Sequence, residues 1–234
     1  MRAFILICLC CFILNCEDKQ SQKKTNTIAI DSAAIKKEQQ KQEETRAESQ
    51  RKYPYLTDKN AVEFFQEYEK ENKENKVRIT TNYGDIDILL YNKTKYHRAN
   101  FVFLTKQKYF DGAQFHRVVK NFIIQGGNSD ERKIANKRKQ IGRYLLPNDT
   151  RQGYTHKRGV ISMPSSENEN PHKLASPYEF FITQSNQPHL DGDYTIFGKV
   201  IKGMNVVDKI ASQETDNAEW PLHNIYIKKV EIIN

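Results

Sequence analysis

The stretch FHRVVKNFIIQGG, residues 115–127, puts a permanent cation and an amide into the most apolar run of the folded part of the chain. Arg117 lies between Phe115 and Val119 at alternate positions, the spacing of a strand with one buried face. Phe122, Ile123, Ile124 and Gln125 follow, and then a double glycine. Taken alone, Arg117 reads as an edge-strand arginine laid over apolar neighbours. An arginine and a glutamine in one apolar run can also mark a built site, and the rest of the chain has to decide.

On either side of this stretch the chain is periodic from about Leu56 onward. The run TDKNAVEFFQEYEKENKEN predicts a helix with Val62, Phe65 and Tyr68 on one face and Thr57 or Asp58 as cap. VRITTNYGDIDILLYN alternates apolar and polar residues and predicts a β-hairpin turning near Gly84. KYHRANFVFLTKQKYF predicts a second helix, with Ala99, Val102 and Phe103 in register and Gly112 just beyond its end. Strand-like runs follow at 114–125, 159–163, 180–183 and 194–200, then a short helix in GMNVVDKIAS and a closing strand in NIYIKKVEII. Many short strands and few helices predict an antiparallel barrel or sandwich.

The N-terminal part differs. MRAFILICLCCFILNC has a basic residue at Arg2 and an apolar run from Phe4 to Leu14, too short to span a bilayer and right for an export signal. All four cysteines (Cys8, Cys10, Cys11, Cys16) lie here, so the folded part can hold no disulfide. ILNC resembles a bacterial lipoprotein signal with Cys16 as the lipidated residue. Residues 17–55 are almost wholly polar and predict a disordered tether, with transient helix within 31–50. The expected organisation is a signal peptide over 1–16, a tether over 17–55, an accessory helix over 56–76 and a folded domain over 77–234. The expected location is the bacterial cell envelope, membrane-anchored through lipid and facing the periplasm or the cell surface.

Other chemistries find little support. A net charge of +8 invites nucleic acid, but the densest basic run, residues 131–143, has no aromatics to stack on bases and reads as a solvated loop. There is no P-loop, C-x-x-C, H-E-x-x-H or G-x-S-x-G, and the six histidines lack ligand spacing. No cofactor, metal or nucleic acid is expected, and the chain is expected to be a monomer.

YFDGAQFHRVVKNFIIQGG resembles the signature of cyclophilin-type peptidyl-prolyl cis–trans isomerases. ITTNYGDIDILLY, RGVISM and FFITQSNQPHLDGDYTIFGKVIKGMNVVDKI are similar to further family segments, in the family's order. The resemblance implies a closed eight-stranded antiparallel barrel capped by two helices, here with an extra N-terminal helix. It implies isomerisation of X-Pro bonds in proline-containing polypeptides, with Arg117 as catalytic arginine and Gln125 as its supporting glutamine. The proline pocket would fall on Phe122, Ile123, Phe181 and Leu190. Strict alternation keeps Phe122 and Gln125 on opposite faces, so the likeness also implies a bend near Lys120–Asn121. Departures cluster at the groove: Glu179 replaces a glutamine, His189 a tryptophan, Tyr194 a histidine, and Pro164–Ser165 an alanine–asparagine pair. Glu179 is expected either to pair with Arg117, so that Glu179→Gln would turn over faster, or to favour basic substrates. The alternative to an enzyme is a cyclophilin-like module that binds a proline-containing partner with little turnover.

Overall fold

The computed structural model describes residues 35–42, 51–165 and 170–234. The leader, Cys16 and most of the tether lie outside the described residues. Helix α1 (35–42) belongs to a separate N-terminal unit, is exposed along its length, and falls within the stretch where transient helix is expected. The second unit, Arg51–Asn234, holds the remaining elements.

Eight strands close into an antiparallel barrel: β2 (Lys76–Thr81), β3 (Gly84–Leu90), β4 (Gln114–Val119), β5 (Ile123–Asn128), β7 (Val160–Ser162), β8 (Phe180–Thr183), β9 (Ile196–Lys202) and β10 (Ile225–Ile232). Around the barrel they run β10-β2-β3-β9-β7-β8-β5-β4, and β4 pairs back onto β10. Alternation sends Val77, Ile79, Ile86, Ile88, Ile124, Phe180, Ile182, Phe197, Ile225 and Ile227 into one core, each fully buried. A separate parallel pair joins β1 (Leu56–Thr57) to β6 (Gly142–Arg143). Gly142 is required there: a Cβ on it would lie 2.0 Å from the Leu56 carbonyl oxygen.

Helices α3 (Lys95–Lys106) and α5 (Met204–Ala211) pack onto the barrel, with Phe101 of α3 meeting Phe110, Phe180 and Phe197. α3 ends well short of Gly112, because Lys108 turns to a φ of +52° and sends Tyr109 and Phe110 into the core. The accessory helix α2 (Ala61–Glu71) docks on α3 through Ala61, Phe65 and Tyr68, with Phe64 beside them, while Val62 is exposed. At 100° per residue those four fall within an arc of about 100°, which leaves Val62 outside it. Asn60, not Thr57 or Asp58, occupies the N-cap, with its side chain turned back to the Thr57 N–H and the Tyr55 carbonyl. Asp58 instead accepts from the Leu145 N–H. Tyr53, within the stretch expected to be tether, packs at 5.1 Å on Phe103. Arg98, 2% exposed, latches α2 by donating to Glu69 and to the Asn72 and Glu74 carbonyls.

The basic run expected to be a solvated loop is helix α4 (Arg132–Ile141). Ile134 is buried beneath it. Lys137 donates to the carbonyls of Lys108, Tyr109 and Asp111, and Arg138 lies over the Tyr178 ring at 5.3 Å. The run 114–125 is two strands, not one. Its turn is made at Asn121, with a φ of +62°, the bend that the family likeness implied.

Candidate active site

Side chains on the outer face of β4, β5 and β8 build the site. Arg117 pairs in register with Gln125, and Gln125 with Phe181, which pairs with Ser162 of β7. Residues aligned across strands share a face, so this row stands opposite the inward row of Ile124, Phe180 and Ile182. Ile123, Phe181 and Leu190 form a second apolar cluster outside the main core, with Phe122 and Tyr194 packed against it. The turn at Asn121 swings Phe122 to this side. It is held there by the Gln184 side chain on the Asn121 N–H and by Ser185 and Gln187 on its carbonyl. Gly127, with a φ of +103°, lets β5 pass the Tyr178 carbonyl, which a Cβ would approach to 2.4 Å.

The result is a cavity of about 280 Å³ lined by Arg117, Phe122, Ile123, Gln125, Pro164, Ser165, Phe181, Leu190 and Tyr194. Its apolar walls are well ordered by contact: Tyr194 meets Phe181 edge-on at 5.6 Å, and His189 stacks on Phe122 at 5.6 Å. His189 is exposed at the rim and does not line the cavity. The Arg117 guanidinium sits 5.8 Å above the Phe122 ring. Pro164 flanks the cavity with its carbonyl taken by the Ser176 N–H, and it offers no N–H of its own.

Glu179 does not make the expected pair with Arg117, and it does not line the cavity. Its Oε2 accepts from Gln125 Nε2 at 2.9 Å and its Oε1 from Asn128 Nδ2 at 3.1 Å, with His116 Nε2 3.5 Å away. Burial works to raise the Glu179 carboxyl, but hydrogen bonds from His116 and Gln125 and the charge of Arg138 outweigh it and hold the group below the usual carboxylate range. Asn128 is fixed in turn by Arg138 of α4, so a polar chain runs from α4 through Asn128 and Glu179 to Gln125.

Arg117 is instead held by Glu219, whose Oε2 accepts from Nε at 2.6 Å. Glu219 stands 102 positions away in the loop between α5 and β10, and nothing in its local sequence marks it. Behind the cavity, His156 lies parallel to Phe181 at 6.0 Å, donates Nδ1–H to Asp191 and accepts at Nε2 from Ser162. Ser162 is fully buried, so this Ser–His–Asp row is a support for the cavity wall and not a nucleophile. Among the described residues, no group of three His, Cys, Asp or Glu side chains is placed to hold a metal ion.

The closed antiparallel barrel thus carries, on its outer wall, an aromatic-lined cavity with an arginine at its mouth. Residues 76–232 match the family described as cyclophilin type peptidyl-prolyl cis-trans isomerase/CLD, and the chain belongs to that family of isomerases. It is 34% identical over 160 residues to peptidyl-prolyl cis-trans isomerase CYP18-2 of Arabidopsis thaliana, covering 68% of this chain and 93% of that one. It is 36% identical over 167 residues to a peptidyl-prolyl cis-trans isomerase-like 2 of Rhizopus delemar, covering 70% of this chain but only 30% of that longer protein. A crystal structure of a Cryptosporidium parvum cyclophilin type peptidyl-prolyl cis-trans isomerase superposes with a TM-score of 0.58 at 30% identity, covering 69% of this chain and 98% of that one. The same protein was also solved in the presence of the dipeptide ala-pro.

Proposed function

We propose that this chain accelerates rotation about X-Pro bonds by seating the prolyl ring among Phe122, Ile123, Phe181 and Leu190 and offering Arg117 to the prolyl nitrogen. Amide resonance opposes the rotation with a barrier of about 18–20 kcal/mol. In the twisted state the nitrogen regains a lone pair, which the planar states lack. A donor aimed at it therefore stabilises the twisted state selectively. Apolar walls exclude water and strengthen that donor.

The observation that carries this reading is the guanidinium at the cavity mouth. Among the described residues, Arg117 donates to protein only through Nε, which leaves both Nη groups for a substrate. The test is cis–trans exchange of an X-Pro peptide followed by NMR with the full-length chain. Arg117→Ala is expected to slow the catalysed exchange by about 100-fold, the usual weight of one transition-state donor. Binding without acceleration in the wild type would instead support the proline-reading module, which the missing N–H of Pro164 favours.

The setting we propose is the bacterial envelope, with the domain held by lipid on Cys16 and acting on exported polypeptides. The support is the short basic-then-apolar leader ending in ILNC. Full-length protein should then partition into a detergent phase and Cys16→Ser should not; equal partitioning of the two would exclude the anchor.

A further inference from the structure

We infer that Glu219 is a positioning residue for catalysis: its carboxylate holds Arg117 by Nε so that the Nη edge of the guanidinium faces the prolyl ring. This rests on the reading of Arg117 given above and names what holds that arginine in place. The glutamine opposite Arg117 in the ladder does not do so, because the Gln125 amide is turned to Glu179.

The 2.6 Å contact is short, as a charge-assisted hydrogen bond should be. Both side chains are more than a third exposed, so the pair adds little to folding stability, and its consequence is one of direction. An arginine rotates about several bonds. Tying Nε to a fixed carboxylate removes that freedom, and the fork geometry then fixes where the Nη groups point.

The carboxylate is itself held by a built loop. Asp216 Oδ1 accepts from the backbone N–H groups of Ala218 and Trp220, both at 2.9 Å. The Asp216 N–H donates to the Trp220 carbonyl, and the Glu219 N–H to the Asp216 carbonyl. The Leu222 N–H closes the loop onto the Glu214 carbonyl. Within this staple Glu219 adopts a φ of +65°, a conformation that a glutamate rarely takes and that the surrounding bonds impose. Its carbonyl then accepts from the N–H of Val118, the residue after Arg117. Backbone and side chain of Glu219 thus grip β4 at consecutive residues, and Trp220 packs on His116 at 5.8 Å on the other side of Arg117.

The test compares full-length wild type, Glu219→Ala, Glu219→Gln, Arg117→Ala and the double variant Arg117→Ala/Glu219→Ala in X-Pro exchange. Glu219→Ala is expected to lower kcat by about 10- to 100-fold, as small misplacements of a reacting group do. KM should change by no more than about threefold, since the cavity walls are untouched. Glu219→Gln, which keeps an acceptor, should recover part of the loss. The double variant should be no slower than Arg117→Ala, because Glu219 acts only through Arg117. Trp220 is the chain's single tryptophan, so its emission reports whether the loop stays docked. If Glu219→Ala shifts it, Glu219→Gln carries the comparison. A readout free of turnover is the 15N Nε–H signal of Arg117, expected to be protected in the wild type and lost in Glu219→Ala. An unchanged or raised kcat in both Glu219 variants, a further loss in the double variant, or an unprotected Nε–H in the wild type would overturn the inference. Full turnover by Arg117→Ala would instead sink the reading of Arg117, while the Nε–H signal would still decide whether Glu219 holds it.

Discussion

Glu179 has two oxygens and two amide donors, Gln125 Nε2 and Asn128 Nδ2, and that count decides what its replacement would do. A glutamine at 179 has one acceptor and one donor, so in either orientation an NH2 group meets another NH2 group. Asn128 cannot turn freely, because its Oδ1 already accepts from Arg138 and from the Ser129 N–H. Gln125 is the partner that must give way. Glu179→Gln is therefore expected to slow X-Pro exchange by about fivefold, the rate equivalent of roughly 1 kcal/mol for one hydrogen bond. Faster exchange in that variant would show that Glu179 restrains the site, the role that pairing with Arg117 would have given it. At this scale the sequence made much of the cavity legible, because Arg117, Phe122, Ile123, Gln125, Phe181, Leu190 and Tyr194, all singled out in the sequence, line one cavity. The carboxylate pairings were hidden. Glu179 and Glu219 are both acids beside a groove, and only the folded chain tells which one meets the arginine.

Elements were legible where a period was clean and illegible where cations stood in apolar positions. The hairpin of β2 and β3 turns through Asn82 and Tyr83 into Gly84, as the alternation in ITTNYGDIDILLY requires. Helix α4 shows the opposite case. Its inner face is Ile134, Lys137, Arg138 and Ile141, a full i, i+3, i+4, i+7 stripe, yet two of the four are cations and the run scores as a polar loop. The stems of Lys137 and Arg138 cover apolar surface, and their heads end on carbonyls, on Asn128 and over Tyr178. A lysine or arginine in a helical stripe can thus serve as core when acceptors lie at the end of its reach. The turn at Asn121 was invisible to alternation for another reason. It is fixed by side chains from residues 184–187, more than 60 positions away.

Among the described residues, the titratable groups are arranged so that the stability of the barrel is expected to decline in two stages as pH falls. His97 is fully buried beside Phe197, with no hydrogen-bond partner for either ring nitrogen among the described residues, and burial pushes it down to about 3. His156 is lowered as well, chiefly by burial and against the pull of Asp191. A histidine lowered in the folded state stays neutral while the unfolded chain takes up a proton below about 6.5, so stability falls as pH drops below that value. For His97 alone the loss at pH 5 is about 2 kcal/mol, from 1.5 pH units at 1.36 kcal/mol each. The carboxyls of Asp87, Glu179, Asp191 and Asp208 are lowered too, so their contribution is present above about pH 4 and is lost as pH falls through their folded values. Urea unfolding at pH 7.5, 6.5, 5, 4 and 3 should therefore show a decline that starts near pH 6.5, before the lowered carboxyls contribute to it. His97→Phe, which keeps an aromatic ring beside Phe197, should flatten the decline between pH 6.5 and 5 by about 2 kcal/mol and leave the steeper loss below pH 4 in place. Equal stability of the wild type at pH 7.5 and pH 5 would mean that His97 is solvated or paired in solution, and an unchanged slope in His97→Phe would assign the first stage to His156 instead.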